Sequence, residues 1–298
     1  MSAVDLNTAA GASGGAPAST AWYRRLLKDP AALVSMVILA VIVLMAMAAP
    51  LVAPHDPYVR VGSPMVPPIW ADRGNIDYLL GTDGQGRDIY SRLLYGAQLT
   101  LLIGVVSVLI GGAVGSFFGL LCAFYRRFDV YLMRFVDMLL SFPAILLGLA
   151  LVAVFGPGAV PVVVALAIAT VPDCARIARS IAVSIMEQEY MEAGRAVGLS
   201  DRALFVRYLL RNALSSILIF ISMRFGQVIL IGAALSFLGL GARPPTAELG
   251  MMAAQGRDFL LFAPHIAVIP SIAIFVIVLA ANILGDAMRD ILDPRLRS

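Results

Sequence analysis

Gln98–Phe124 reads QLTLLIGVVSVLIGGAVGSFFGLLCAF, and with its flanks it leaves residues 93–125 without a charged side chain. About 20 apolar residues rising 1.5 Å each cross the roughly 30 Å hydrocarbon layer of a bilayer. This stretch is long enough to span, and it stops at Arg126-Arg127. The rest of the chain agrees with it. Of 298 residues, 60% are hydrophobic and 14% charged, with mean hydropathy +0.89, against about 45–50% and 25% in a soluble domain. So apolar a globule would have too little polar surface to cover itself. That excludes a soluble enzyme, a disordered hub and a nucleic-acid-binding module, and leaves an all-α membrane protein.

Working outward, residues 1–20 are mostly Ala, Gly, Ser and Thr and read as a disordered start to a tail over 1–29. An uncharged run from Ala31 to Ala53 follows. Arg24-Arg25 before it and Ala46-Met47-Ala48 within it imitate a cleaved signal, but the run is long for the 7–15 residues of a signal core. We read an uncleaved first span. Residues 54–98 form a long polar loop rich in Pro, Gly and Asp. The uncharged residues 138–172 are too few for two crossings and too many for one, and Phe155-Gly156-Pro157-Gly158 supplies a turn. The third span is therefore expected to start near Tyr131 and to carry Arg134 and Asp137, paired i,i+3 on one face. The fourth covers about 159–178, the fifth about 212–240 and the sixth about 261–284, giving one six-helix domain over 30–298.

Six spans put both termini on one side. Of the 22 basic residues, 15 then fall on the side of the termini and six opposite, with Arg224 inside a span. An excess of Lys and Arg marks the cytoplasmic face, so both termini are expected to be cytoplasmic.

Little in the chain supports covalent chemistry. Its one lysine, Lys28, precedes Asp29, so no phosphate cradle of the form G-x-x-x-x-G-K-[ST] exists. Asp83-Gly84-Gln85-Gly86-Arg87-Asp88 imitates a calcium loop, but its twelfth position is Leu94 rather than a bidentate carboxylate. With two cysteines and two histidines, all far apart, no metal site is expected. Gly111, Gly115 and Gly119 share one helical face and allow another helix to approach closely, within the chain or from a second subunit. Arg224 sits about 18 Å into the fifth span. Such a residue lines a polar pathway or bonds a neighbouring helix.

The most informative polar stretch runs from Glu189 to Leu210 and reads as helix, break, helix. Gly198 suits the left-handed residue that ends a helix. Ser200 is a good N-cap, and Asp201 favours the positive helix end. Leu204, Phe205, Tyr208 and Leu209 then share an apolar face that needs a protein partner or the bilayer surface.

Glu192-Ala193-Gly194-x-x-x-Gly198 with Leu210 resembles the EAA loop of bacterial ABC importer permeases. Gly194 replaces its second alanine, Tyr208 its isoleucine and Arg211 its proline. Leu80-Gly81-Thr82-Asp83-x-x-Gly86-Arg87-Asp88-x-x-Ser91-Arg92 resembles one branch, the C-type permeases of dipeptide, oligopeptide, glutathione and nickel importers. So do Arg134-x-x-Asp137-x5-Pro143, Leu235-Ser236-Phe237-Leu238-Gly239-Leu240-Gly241 with Pro244-Pro245, and Gly285-Asp286-x-x-Arg289-Asp290-x-x-Asp293-Pro294-Arg295.

The resemblance implies a type I importer permease in the bacterial inner membrane, with six transmembrane helices and no ATPase motif of its own. Its partners would be a homologous B-type permease, two ABC ATPase subunits carrying ATP and Mg, an extracytoplasmic solute-binding protein and membrane lipid, with no nucleic acid. The cytoplasmic loop at about 180–211 would couple the ATPases. Its residues would be Glu192, Ala193, Gly194, Gly198, Leu199, Ser200, Asp201, Leu204, Phe205 and Tyr208, the last three giving the apolar face its partner. Arg224 would be a pathway residue, and Arg134–Asp137 a structural ion pair. The competing reading is an ATP-independent secondary transporter or channel. We find no internal repeat for it, and we read five of the six spans as free of interior charge. A membrane enzyme lacks a catalytic constellation.

Overall fold

The computed structural model describes residues 29–292. Arg24-Arg25, Lys28, most of the 1–29 tail and Asp293-Pro294-Arg295 lie outside the described residues. Within 29–292 the chain is helix and irregular connection, with one isolated bridge between Thr82 and Asp88.

Helix α1 (Pro30–Met47) begins where Asp29 accepts from the Ala31 and Ala32 amides, with Pro30 at a position whose N–H would lack a partner anyway. A short turn of helix, α2 (Ala49–Val52), precedes the long irregular segment. Helix α3 (Ile89–Phe124) is capped by Asp88, which accepts from Tyr90 and Ser91. The glycines within α3 set the core. A Cβ on Gly111, Gly115 or Gly119 would lie 2.4, 2.4 or 2.2 Å from the carbonyl oxygens of Ala167, Val171 and Ala175. The two backbones therefore touch along α6 (Ala159–Met186), and the glycine stripe serves packing inside this chain.

The third span differs from its sequence reading. Helix α4 (Arg126–Leu140) stops at Ser141, and α5 (Ala144–Phe155) leaves at 93° to it. Pro143 explains the break: it has no N–H to donate and pushes the residue before it out of helical geometry. The twelve residues of α5 are apolar, whereas α4 keeps Arg126, Arg127, Asp129, Arg134 and Asp137. Among the described residues five helices are long and apolar enough to cross a membrane, and the bent pair brings the number to six if it is counted as one span.

The expected Arg134–Asp137 pair does not form. Arg176 on α6 reaches Asp137 at 2.5 Å, and Arg179 grips Asp129 through two nitrogens at 2.5 and 2.6 Å. Successive turns of α6 thus outcompete the i,i+3 partner and tie α4 down.

After α7 (Glu189–Ala196), the chain runs in one helix from Asp201 to Phe237, longer than the fifth span read from the sequence. It comprises α8 (Asp201–Ala203), a π-helical stretch Leu204–Leu210 and α9 (Arg211–Phe237). A short buried helix, α10 (Leu249–Gly256), comes next, and α11 (His265–Leu292) is the last span, displaced toward the C-terminus from 261–284. Apolar clusters run along the bundle. One gathers Ala97, Leu101, Ile229 and Leu249, a second Ile103, Leu166, Val228 and Leu235, and a third Leu120, Ala182, Leu209 and Ile217.

Candidate functional site

The elbow at one end of the bundle joins α7 to α8. Helix α7 ends in two bonds, Leu199 N–H to the Gly194 carbonyl and Gly198 N–H to the Arg195 carbonyl, both at 3.0 Å. This is the Schellman pattern, and Gly198 supplies its left-handed residue at φ +82°. Ser200 then accepts from the Ala203 amide at 3.4 Å, starting the next helix one residue before Asp201. No proline interrupts that helix. Arg211 stands in the proline's place, and the helix passes unbroken into α9.

The apolar face of this helix is turned inward, against the sequence reading that left it for a partner. Leu204 is 1% exposed and packs toward Gly194, where a Cβ would lie 2.8 Å from the Leu204 side chain. Leu209 is fully buried, Phe205 meets Phe124 edge to face at 5.4 Å, and Tyr208 stacks on Tyr190 at 6.4 Å. The cause is the sharp return at Gly198, which folds the second helix back onto α7 and the ends of α3 and α6. Glu192, Ala193, Arg195, Val197, Gly198, Ser200 and Asp201 are exposed instead, Val197 at 83%, and Leu199 is half-buried.

Partway along α9, Arg224 donates through Nη2 to Asp173 on α6, and through Nη1 to Gln227 at 2.5 Å. Its guanidinium lies 5.9 Å from the Phe220 ring. The inter-helix bond is thus present. Asp173 was missed in the sequence, although it follows Pro172 inside the fourth apolar run. It also corrects the statement that five spans lack interior charge, because α6 carries it.

Opposite the elbow, residues 54–88 form a cap. Asp83 is its hub: Oδ1 accepts from the Gln85 and Arg87 amides, and Oδ2 from Arg87 Nε at 2.7 Å, with Arg92 Nε at 3.5 Å. Arg92, 1% exposed, donates to the Pro57 and Pro245 carbonyls and so stitches loop to loop. Asp88 accepts from Ser91 Oγ at 2.6 Å while His55 N–H donates to that hydroxyl. Buried Glu248 caps α10 through the Gly250 and Met251 amides and accepts from Thr100 at 3.2 Å. The calcium-like loop is therefore a hub of carboxylate–guanidinium and carboxylate–amide bonds. Among the described residues no group of three or more His, Cys, Asp or Glu could hold a metal.

The model of binding-protein-dependent transport system inner membrane components matches residues 115–298. The chain belongs to that family. Residues 17–68 match the N-terminal transmembrane domain of oligopeptide transport permease C, in keeping with the C-type resemblance. A putative peptide transport system permease protein of Brucella abortus is 41% identical over 92% of this chain and 91% of its own length. A glutathione transport system permease protein of Pectobacterium atrosepticum is 40% identical over 93% and 91%. An amino acid ABC transporter crystal structure shares the fold over 66% of this chain and 92% of its own, at TM-score 0.51 and 20% identity. The protein is a permease subunit with several spans in the bacterial inner membrane.

Proposed function

We propose that this permease moves peptides, glutathione or similarly small solutes inward, driven by ATPase subunits that dock on the elbow. The observation that carries the coupling role is the continuous helix Asp201–Phe237. It is roughly 55 Å long and joins the exposed elbow to the Arg224–Asp173 contact without a break. A displacement at its elbow end reaches the middle of the bundle as a rigid-body tilt. ATP binding on the partner subunits and solute delivery at the cap then bias one two-state element from its two ends. The elbow and both termini are cytoplasmic in this scheme, and the cap faces the solute-binding protein.

The names of the relatives support the substrate class, and the EAA resemblance supports the docking site. The contact surface is the exposed tip around Glu192, Arg195 and Val197. Leu204, Phe205 and Tyr208 act behind it, holding the tip against the bundle. A homologous second permease completes the pathway, Arg224 lines it on this chain's side, and nucleotide and Mg are held by the ATPases alone.

The test uses the fact that Cys122 and Cys174 are both buried. A cysteine placed by Arg195→Cys becomes the reactive thiol. Crosslinking in native membranes followed by mass spectrometry is expected to trap a P-loop ATPase, with a second permease co-purifying in mild detergent. Recovery of the chain alone, with no crosslinked ATPase, would overturn the reading.

A further inference from the structure

The cap holds more positive charge than its own carboxylates use. A cavity of about 190 Å³ lies between the cap, α3, α10 and α11. Arg87 and Arg92 both line it, together with Asp83 and Gln255. Both arginines are more than nine-tenths buried, at 3% and 1% exposure. Among the described residues, Asp83 is the one buried carboxylate that either arginine reaches within 4 Å. Nη1 of Arg87 and Nη2 of Arg92 are buried without any hydrogen-bond partner among the described residues. Gln255 offers only a neutral, stretched bond to Arg87, at 3.4 Å. The remaining carboxylate, Asp258, sits at the rim with an exposed side chain and lies 3.5 Å from Arg257.

Two buried guanidinium groups sharing one carboxylate leave an uncompensated positive charge, and a buried donor without a partner is costly. Guanidinium donors suit a planar carboxylate, which accepts two parallel bonds. Apolar side chains complete the lining, Met252 and Phe259 among them. A water would accept from the free donors without neutralising the charge, and a halide would neutralise the charge without using the apolar lining.

We propose that this cavity is a binding site for a small organic acid, its carboxylate held by Arg87 and Arg92 and its apolar group against Met252 and Phe259. The site is separate from the elbow and from the Arg224–Asp173 contact. It does not depend on the ATPase-coupling reading, so the two can fail independently.

The experiment measures ligand-induced thermal stabilisation of the full chain, purified in mild detergent with whatever subunits accompany it. The probes are N-acetyl-leucine, its uncharged amide, and formate. N-acetyl-leucine is expected to stabilise with a saturable concentration dependence, the amide to do nothing, and formate to act only at far higher concentration. Arg87→Gln should weaken the acid roughly ten- to a hundredfold. Gln255→Glu places a carboxylate against Arg87 within the chain, so it should raise the unliganded midpoint and abolish the response. If Arg87→Gln does not accumulate, Gln255→Glu decides alone. Equal effects of acid and amide, a formate response as strong as the acid's, an undiminished response in Gln255→Glu, or no response to the acid would each overturn the proposal.

Discussion

The cap and the elbow are the two polar ends of one bundle, built on opposite plans. In the cap, Asp83, Arg87, Asp88, Arg92 and Glu248 are buried, and two of them bond chain far away in sequence: Arg92 bonds Pro57 and Pro245, and Glu248 bonds Thr100. In the elbow, charged groups are exposed, and the bonds that shape the turn reach no further than five residues, from Gly194 to Leu199 and from Ser200 to Ala203. Long-range buried bonds fix one geometry. A turn held by local bonds can be displaced as a unit by whatever binds it. Under the proposed function, the difference suits a cap that receives solute on a fixed surface and an elbow that follows a moving partner.

The comparison breaks most readily at Asp83. Asp83→Ala removes the carboxylate shared by Arg87 and Arg92 and leaves both buried guanidinium groups uncompensated. Breaking a buried pair from one side costs about 3–5 kcal/mol. The expected outcome is a large fall in the thermal midpoint of the purified chain, or loss of the protein from the membrane fraction. Asp83→Asn should fall between wild type and alanine, because its oxygen still accepts from the Gln85 and Arg87 amides. A midpoint for Asp83→Ala within a degree or two of wild type would show that the cap is not held as described.

At the elbow the comparison is sharpened by a substitution whose effect on function exceeds its effect on stability. A Cβ at Gly198 would meet nothing within 4 Å, so only the left-handed backbone at φ +82° resists a side chain there. That resistance is roughly 1–2 kcal/mol, larger for a β-branched residue than for Asn, which tolerates this region. Gly198→Val is expected to insert and accumulate while ATP-driven uptake collapses, because the turn that aims the tip is lost. Gly198→Asn should keep most uptake. Normal uptake by Gly198→Val would remove the elbow from the coupling route.

These two ends also differ in how well the sequence disclosed them. The turn at Gly198, the cap at Ser200 and the spans built on α1, α3 and α6 depend on near neighbours, and periodicity and capping residues expose such features. Which residues meet across the bundle depends on the crossing of helices, which no local pattern encodes. Arg224 could be flagged as a cation inside a span, but its partner Asp173 lies 51 positions away, and Arg92 could not be joined to Pro245 at all. The inward turn of Leu204, Phe205 and Leu209 escaped for the same reason. An apolar helix face announces that it will be covered without saying by what. Pro143 carries the local signal for the break before α5, which the length arithmetic for residues 138–172 does not use.

The smallest expected effect tests the same kind of bond at the two ends. Arg176–Asp137 is as short as a cap bond, at 2.5 Å, but its side chains are 58% and 59% exposed. The rest of the chain leaves it largely uncovered, as in an exposed ion pair, so a double-mutant cycle on Arg176→Ala and Asp137→Ala should give a coupling of only about 0.2–1 kcal/mol. The cycle on Arg134→Ala and Asp137→Ala should give no coupling beyond error, since Asp137 is engaged by α6 instead. Thermal unfolding of the five variants (three single, two double) and the wild type in one detergent measures both cycles. A coupling for Arg134 equal to that for Arg176 would restore the i,i+3 pair and loosen α4 from α6. With the expected result, the surface pair serves to select where α4 lies against α6 and adds little to stability. The cap's buried pairs take the opposite role, holding a geometry whose loss the fold cannot absorb.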